Sequence, residues 1–246
     1  MADAVEQWRD YFASGRSFAV QPDRGVTETK LRANRTGIVV ASSLVALVLV
    51  GLVVLLVTDF GRLATYLLVA VLAVAVLVVV VRLWILRKRL RAYAAAGDPL
   101  VVVSAESITL SGLPPVPWTD VLGVVATDLV DEYARAGGFN GWLRRTAVRT
   151  GGSTVGVYIG VRRAAHIRAG SNGGLVHDLI VVTDDNGAIA AYLDHALPVE
   201  QARQVVTAIK VAAWLHGIGF VASSQAKDGI DASSKMLKGE RLEPQS

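Results

Sequence analysis

The spacing of apolar positions changes twice along the chain. Residues 1–36 are mostly polar, but Val5, Trp8, Tyr11 and Phe12 recur at helical spacing between Asp3 and Ser14. Two readings fit this stripe: a short helix lying on a membrane surface, or a helix docked on the C-terminal domain. Gln21-Pro22-Asp23-Arg24-Gly25 then reads as a turn-rich linker. Next come two charge-free stretches, Gly37–Val57 and Leu63–Val81, of 21 and 19 residues. Each is long enough to cross a hydrocarbon core as a helix. The few residues Thr58–Arg62 between them force a tight antiparallel hairpin. Ala92–Ala96 can extend the second helix until Gly97-Asp98-Pro99 stops it.

From Leu100 the period becomes two. Leu100–Ser104 and Ser107–Ser111 read as paired strands around Ala105-Glu106, and Val116-Pro117-Trp118 leads into a strand over Val121–Thr127. Thr154–Val161 alternates cleanly, with Val155, Val157, Ile159 and Val161 on one face. Leu175–Thr183 and Ala188–Leu193 flank Asp184-Asp185-Asn186-Gly187, where Asn-Gly predicts a hairpin turn with both residues at positive φ. A helix opens at Pro198, runs to about His216 with Val205, Val206, Ile209, Ala212, Ala213 and Leu215 on its apolar side, and ends at Gly217. The Ser/Lys/Asp/Glu-rich residues 223–246 read as a disordered tail.

Composition sharpens this picture. Of the 246 residues 52% are hydrophobic and 19% charged, which excludes an ordinary soluble protein once the two stretches are counted. The absence of Cys excludes disulfides, thiolate metal sites and Cys nucleophiles. Arg9, Arg16, Arg24, Lys30, Arg32 and Arg35 precede the first span, and Arg82, Arg87, Lys88, Arg89 and Arg91 follow the second, against Arg62 alone between them. The positive-inside rule then predicts a multi-pass protein of the cytoplasmic membrane with both termini cytoplasmic. No ionisable residue sits mid-span, so transporter and channel readings lose their support. The expected organisation is a cytosolic segment 1–36, spans 37–57 and 63–86 joined by an extracytoplasmic loop 58–62, a basic linker 87–99, a cytosolic domain 100–222 and the tail 223–246.

Short antiparallel strands closed by one C-terminal helix form the element order of a pleckstrin-homology-like (PH-like) domain. Val101-Val102-Val103-Ser104-Ala105-Glu106-Ser107-Ile108-Thr109-Leu110, followed by Val116-Pro117-Trp118-Thr119-Asp120-Val121, resembles bacterial PH-like domains. Some of these, such as the YcxB-like proteins, carry the domain behind a two-span hairpin. The resemblance covers residues 100–220. It implies an α+β domain of about seven antiparallel strands, in a barrel or two orthogonal sheets, closed by one helix. Trp118 is expected to plug the core and Asp120 to cap or pair locally. These families share no single activity, so the resemblance implies a fold and no specific function.

Catalytic motifs fail on inspection. Gly151-Gly152-Ser153-Thr154-Val155 has Val where a nucleophile elbow needs Gly. Gly217-Ile218-Gly219-Phe220-Val221-Ala222 follows a helix where a dinucleotide loop follows a strand. His166, His177, His195 and His216 have no metal-ligand spacing and read as surface or satisfied core histidines. No enzyme, cofactor, metal or nucleic-acid role is expected.

Charge segregation is the feature that stands out. No acidic residue lies between Glu132 and Asp178, an interval that carries Arg135, Arg144, Arg145, Arg149, Arg162, Arg163 and Arg168. These arginines fall in two stretches, 128–153 and 162–174, read as loops at either end of the Thr154–Val161 strand. Convergence into one patch requires the first loop to fold back. Trp142-Leu143 beside Arg144-Arg145 gives an apolar wedge next to charge. Trp142, Leu143, Arg144, Arg145, Arg149, Arg162, Arg163 and Arg168 are the candidate contacts to anionic lipid or a protein partner, with Arg82, Arg87, Lys88, Arg89 and Arg91 as the juxtamembrane set. The expected role is a non-enzymatic module at the inner leaflet. The alternative is a scaffold that binds a peptide at the β-domain.

Overall fold

The computed structural model describes residues 2–58, 63–95, 97–171, 177–183 and 185–243. Helix α1 (Ala2–Ala13) and strand β1 (Phe18–Val20) precede two long helices, α2 (Arg24–Thr58) and α3 (Leu63–Ala95). Asp23 begins α2, accepting a hydrogen bond from the Val26 N–H on its side chain at 3.0 Å. At 35 residues α2 is about 52 Å long, enough to cross a bilayer with more than three turns to spare. The two helices are long and apolar enough to span a membrane, and within their apolar windows 6% and 11% of residues are buried. That exposure separates them from the core helix of a soluble protein. Ile38, Ala41 and Leu83 form the small packed seam between them. Of the expected loop 58–62, Thr58 is the last residue of α2 and 59–62 lie outside the described residues.

The remaining chain builds two sheets. Strands β2 (Val101–Val103), β3 (Ser107–Leu110) and β4 (Val116–Pro117) continue antiparallel from β1 in the order β1-β2-β3-β4. After a 3-10 turn at Trp118–Asp120 come β5 (Val121–Asp128), helices α4 (Val130–Arg135) and α5 (Gly138–Arg149), β6 (Val155–Arg162), helix α6 (Ala164–Ala169), β7 (Asp178–Val181) and β8 (Asn186–Tyr192). Helix α7 (Val199–Leu215), β9 (Phe220–Ser223) and α8 (Ala226–Leu237) complete the chain. The second sheet has the order β7-β8-β6-β5-β9, antiparallel except for the parallel β5–β9 pair.

Val155, Val157, Ile159 and Val161 of β6 enter the main core with Val205, Ile209 and Ala212 of α7, as the alternation predicts. The opposite face is also covered. A Cβ at Gly160 would meet the Met236 side chain of α8 at 2.7 Å, so glycine there lets the helix lie close on the sheet. Trp118 is buried, and its indole N–H donates to the Ser104 carbonyl at 3.0 Å. The α1 stripe docks on the domain, with Phe12 buried and Val5, Trp8 and Tyr11 packed against the same core.

Several expectations need correction. Of the two expected arrangements, a barrel or two orthogonal sheets, the described strands form two sheets and no barrel; they number nine rather than about seven, β9 pairs parallel, and α8 follows the expected closing helix. Strand β1 makes the N-terminal segment part of the domain, because the polar linker after it hid a three-residue pairing with β2. The stretch 128–153 is two helices, not a loop, and residues after 223 form α8, whose amphipathic pattern needs the sheet to cover it. Met236 is fully buried there. Asp120 pairs with Arg163, distant in sequence. Asn186 and Gly187 lie in β8, and neither has positive φ. Gly187 serves close approach, since a Cβ there would meet the Ile180 carbonyl oxygen at 2.4 Å. Asp184, Leu175 and Val176 fall outside the described residues.

Candidate functional site

The N-terminal part of α2 carries Thr27, Lys30 and Asn34 on the line that continues as Ile38 and Ala41 in the apolar stretch. Thr27 and Asn34 are fully buried, because the domain closes over this part of the helix. The Asn34 side-chain amide donates to the Leu83 carbonyl of α3 at 3.2 Å and to the Thr150 carbonyl at 3.3 Å. Lys30 reaches the Gly152 carbonyl at 3.1 Å and the Asp194 carboxylate at 3.3 Å. Asp194 also accepts from the Ser153 hydroxyl, and from the Thr154 N–H and hydroxyl at 2.9 Å each. Burial works to raise the Asp194 carboxyl, and Lys30, Ser153 and Thr154 outweigh it, holding it below the usual carboxylate range. A half-buried, hydrogen-bonded ion pair thus ties α2, through Asp194, to the start of β6.

Helix α3 is tied in parallel. Arg89 pairs with Asp178 at the start of β7 and lies 5.4 Å over the Tyr192 ring. Tyr93, one turn on, sits between His177 and His195 with ring centroids 5.9 and 6.0 Å away. Both imidazoles are buried; among the described residues neither nitrogen of His177 completes a hydrogen bond, and His195 approaches the Gly151 backbone. Burial, and then Arg89, pushes His177 down to about 3; burial, and then Lys30, pushes His195 down to about 3 against the Asp194 charge. Both are therefore neutral at pH 7.

The candidate arginines separate into two groups. Arg144, Arg145 and Arg149 ride on α5, whose C-terminal end abuts α2: a Cβ at Gly37 would meet the Thr150 side chain at 2.8 Å. Arg144 turns back to Glu132 and the Tyr133 ring, on the rim of a 490 Å³ recess that Arg135 also lines. Arg145 donates to the Ala136 carbonyl at 2.7 Å, and Arg149 is exposed. Arg162 ends β6, an eight-residue strand of about 23 Å, and Arg163 and Arg168 lie just beyond that end. Arg163 binds Asp120, Arg168 donates to the Leu179 carbonyl at 3.4 Å, and Arg162 is exposed. The six arginines do not converge, because antiparallel β6 carries the chain directly away from α5.

Trp142 and Leu143 are exposed beside Phe139, and the Phe139 and Trp142 rings stack at 5.7 Å. Of the juxtamembrane set, Arg82, Lys88 and Arg91 are exposed, Arg87 is half-buried, and Arg89 is committed to Asp178. Sequence reading missed the junction itself. Its signal was the Thr27, Lys30, Asn34, Ile38 and Ala41 spacing, a stripe that changes from polar to apolar where the span begins. No family model, curated protein or solved structure matches the chain.

Proposed function

We propose that this is an integral protein of the cytoplasmic membrane, both termini inside, whose cytosolic PH-like module binds anionic lipid head groups at the inner leaflet in a non-catalytic role. One observation carries the reading: the Lys30–Asp194 and Asn34–Thr150 ties fix the domain against the hairpin where the apolar stretches begin. Arg145 and Arg149, with Arg82, Lys88 and Arg91 on α3, are thereby held near that level. Each exposed cation near an anionic leaflet contributes about 1 kcal/mol, and a tether this short removes most of the association cost. The positive-inside balance supports the orientation. The hairpin-then-Trp118 order and the closing helix α7 support the PH-like assignment.

The test uses the full chain in detergent, titrated with short-chain phosphatidylglycerol or phosphatidylcholine while thermal unfolding is followed. The expected result is a larger rise in Tm with the anionic lipid, a difference that Arg145→Glu/Arg149→Glu removes. Equal shifts with both lipids would sink the reading.

A second reading, a scaffold for an extended peptide, rests on β7. This strand edges its sheet and leaves Ile180 and Val182 exposed. Val182 N–H faces β8 through Asn186, so the backbone groups of Val181 point outward. Binding of a partner lost on Val181→Pro and indifferent to lipid charge would favour this reading.

A further inference from the structure

We propose that α5 is an interfacial helix whose Phe139, Trp142 and Leu143 insert into the leaflet that α2 and α3 enter. This rests on the hairpin spanning the membrane and adds what the adjoining domain does there.

Three observations converge. First, Phe139, Trp142 and Leu143 are 71%, 55% and 45% exposed, an aromatic-aliphatic cluster in a helix whose other side holds polar contacts. A contiguous apolar cluster of this kind marks an interaction surface rather than ordinary scatter. Second, at about 100° per residue these three side chains share one face with Thr146 and Thr150. Thr150 is the residue that lies against Gly37, the first position of the apolar stretch of α2. The exposed face of α5 is therefore the face by which it meets the spanning helix. Third, the α5 end is fixed there. The Thr150 carbonyl accepts from Asn34, and the Gly152 carbonyl accepts from Lys30. A helix pinned beside the hairpin with its apolar face turned that way meets lipid.

The charges agree with this placement. Arg145 and Arg149 flank the apolar face, while Arg144 is drawn off it to Glu132. Apolar residues beneath and cations at the rim form the pattern of a helix lying in the head-group layer, with its apolar side about 5–10 Å deep. Continuity with the spanning helices selects the bilayer over a second protein as occupant.

The chain contains no Cys, so single nitroxide labels can be introduced without background. In nanodiscs, labels at Phe139→Cys, Trp142→Cys and Leu143→Cys should gain collisions with oxygen and lose those with a water-soluble nickel chelate. Labels at Asn140→Cys and Arg162→Cys should stay accessible to nickel. Nickel-accessible labels at all three apolar positions would overturn the proposal. Spin–spin broadening there that disappears on dilution with unlabelled protein would overturn it in favour of contact with a second copy. A Val50→Cys label in mid-span separates the two claims. If that label is lipid-protected while 139, 142 and 143 are wet, the α5 proposal alone fails. If Val50→Cys is itself wet, the spanning reading fails with it.

Discussion

The two ends of β6 carry similar formal charge and do different work. At the α5 end, Lys30 meets Asp194 and the Gly152 carbonyl, Asn34 meets the Thr150 carbonyl, and Asp194 holds Ser153 and Thr154, all of them buried or half-buried. At the α6 end, Arg162, Arg163 and Arg168 are exposed around one ion pair and one long hydrogen bond. Charge count alone ranks the ends as equals. Burial makes the first a structural joint and leaves the second a solvated surface, because an ion pair in water contributes little and breaking a buried one is costly.

The largest expected break in that contrast is Asp194→Ala. It leaves Lys30 half-buried without its carboxylate and removes the acceptor of Ser153 and Thr154, which should destabilise the fold by about 3–5 kcal/mol in unfolding experiments in detergent. Acidification should act on the same end. His177 and His195 have folded-state values of about 3, below their unfolded value, so the unfolded chain binds more protons and stability falls as pH drops from about 6.5 toward 3. Between pH 6.5 and 5.5 the two together should cost about 2 kcal/mol. Replacing His195 by Asn should roughly halve that slope, and a Tm independent of pH over this window would contradict the buried placement.

A smaller effect sharpens the functional contrast. Arg149→Gln should weaken the preference for anionic over neutral lipid about fivefold, near 1 kcal/mol, and Arg162→Gln at the far end should leave it unchanged. Equal losses would mean that both ends face lipid. Smallest is Arg163→Gly. Arg163 holds a left-handed conformation with φ 54°, which glycine adopts without strain, and its partner Asp120 is reached across an exposed pair. The unfolding free energy should change by less than about 1 kcal/mol.

Legibility in the sequence followed the range of the interactions. The two spans, the β2–β3 hairpin, the core side of β6 and helix α7 were readable because periodicity and composition are local. Helix α5 was not, since Gly138 and Gly141 interrupt a segment whose apolar face looks outward. Helix α8 was misread as tail because its face is completed by Gly160 and Val125 of the sheet. Within the candidate site, the Arg144–Arg149 charges and the Trp142-Leu143 wedge were visible. Their placement at the opposite end of β6 from Arg162, Arg163 and Arg168 was legible too, since the two stretches flank one strand; that residues 128–153 are helical was not.

By itself the sequence determined that two charge-free apolar stretches lie next to one another in the chain and that a β-rich half follows, because hydrocarbon length and strand alternation are written residue by residue. Tertiary structure alone decided that Lys30 meets Asp194 across 164 positions, that two histidines are buried around Tyr93, and that α5 lies beside Gly37. Those outcomes depend on which surfaces close over which, and the free energy of burying a charge or a ring exists only once that closure is made.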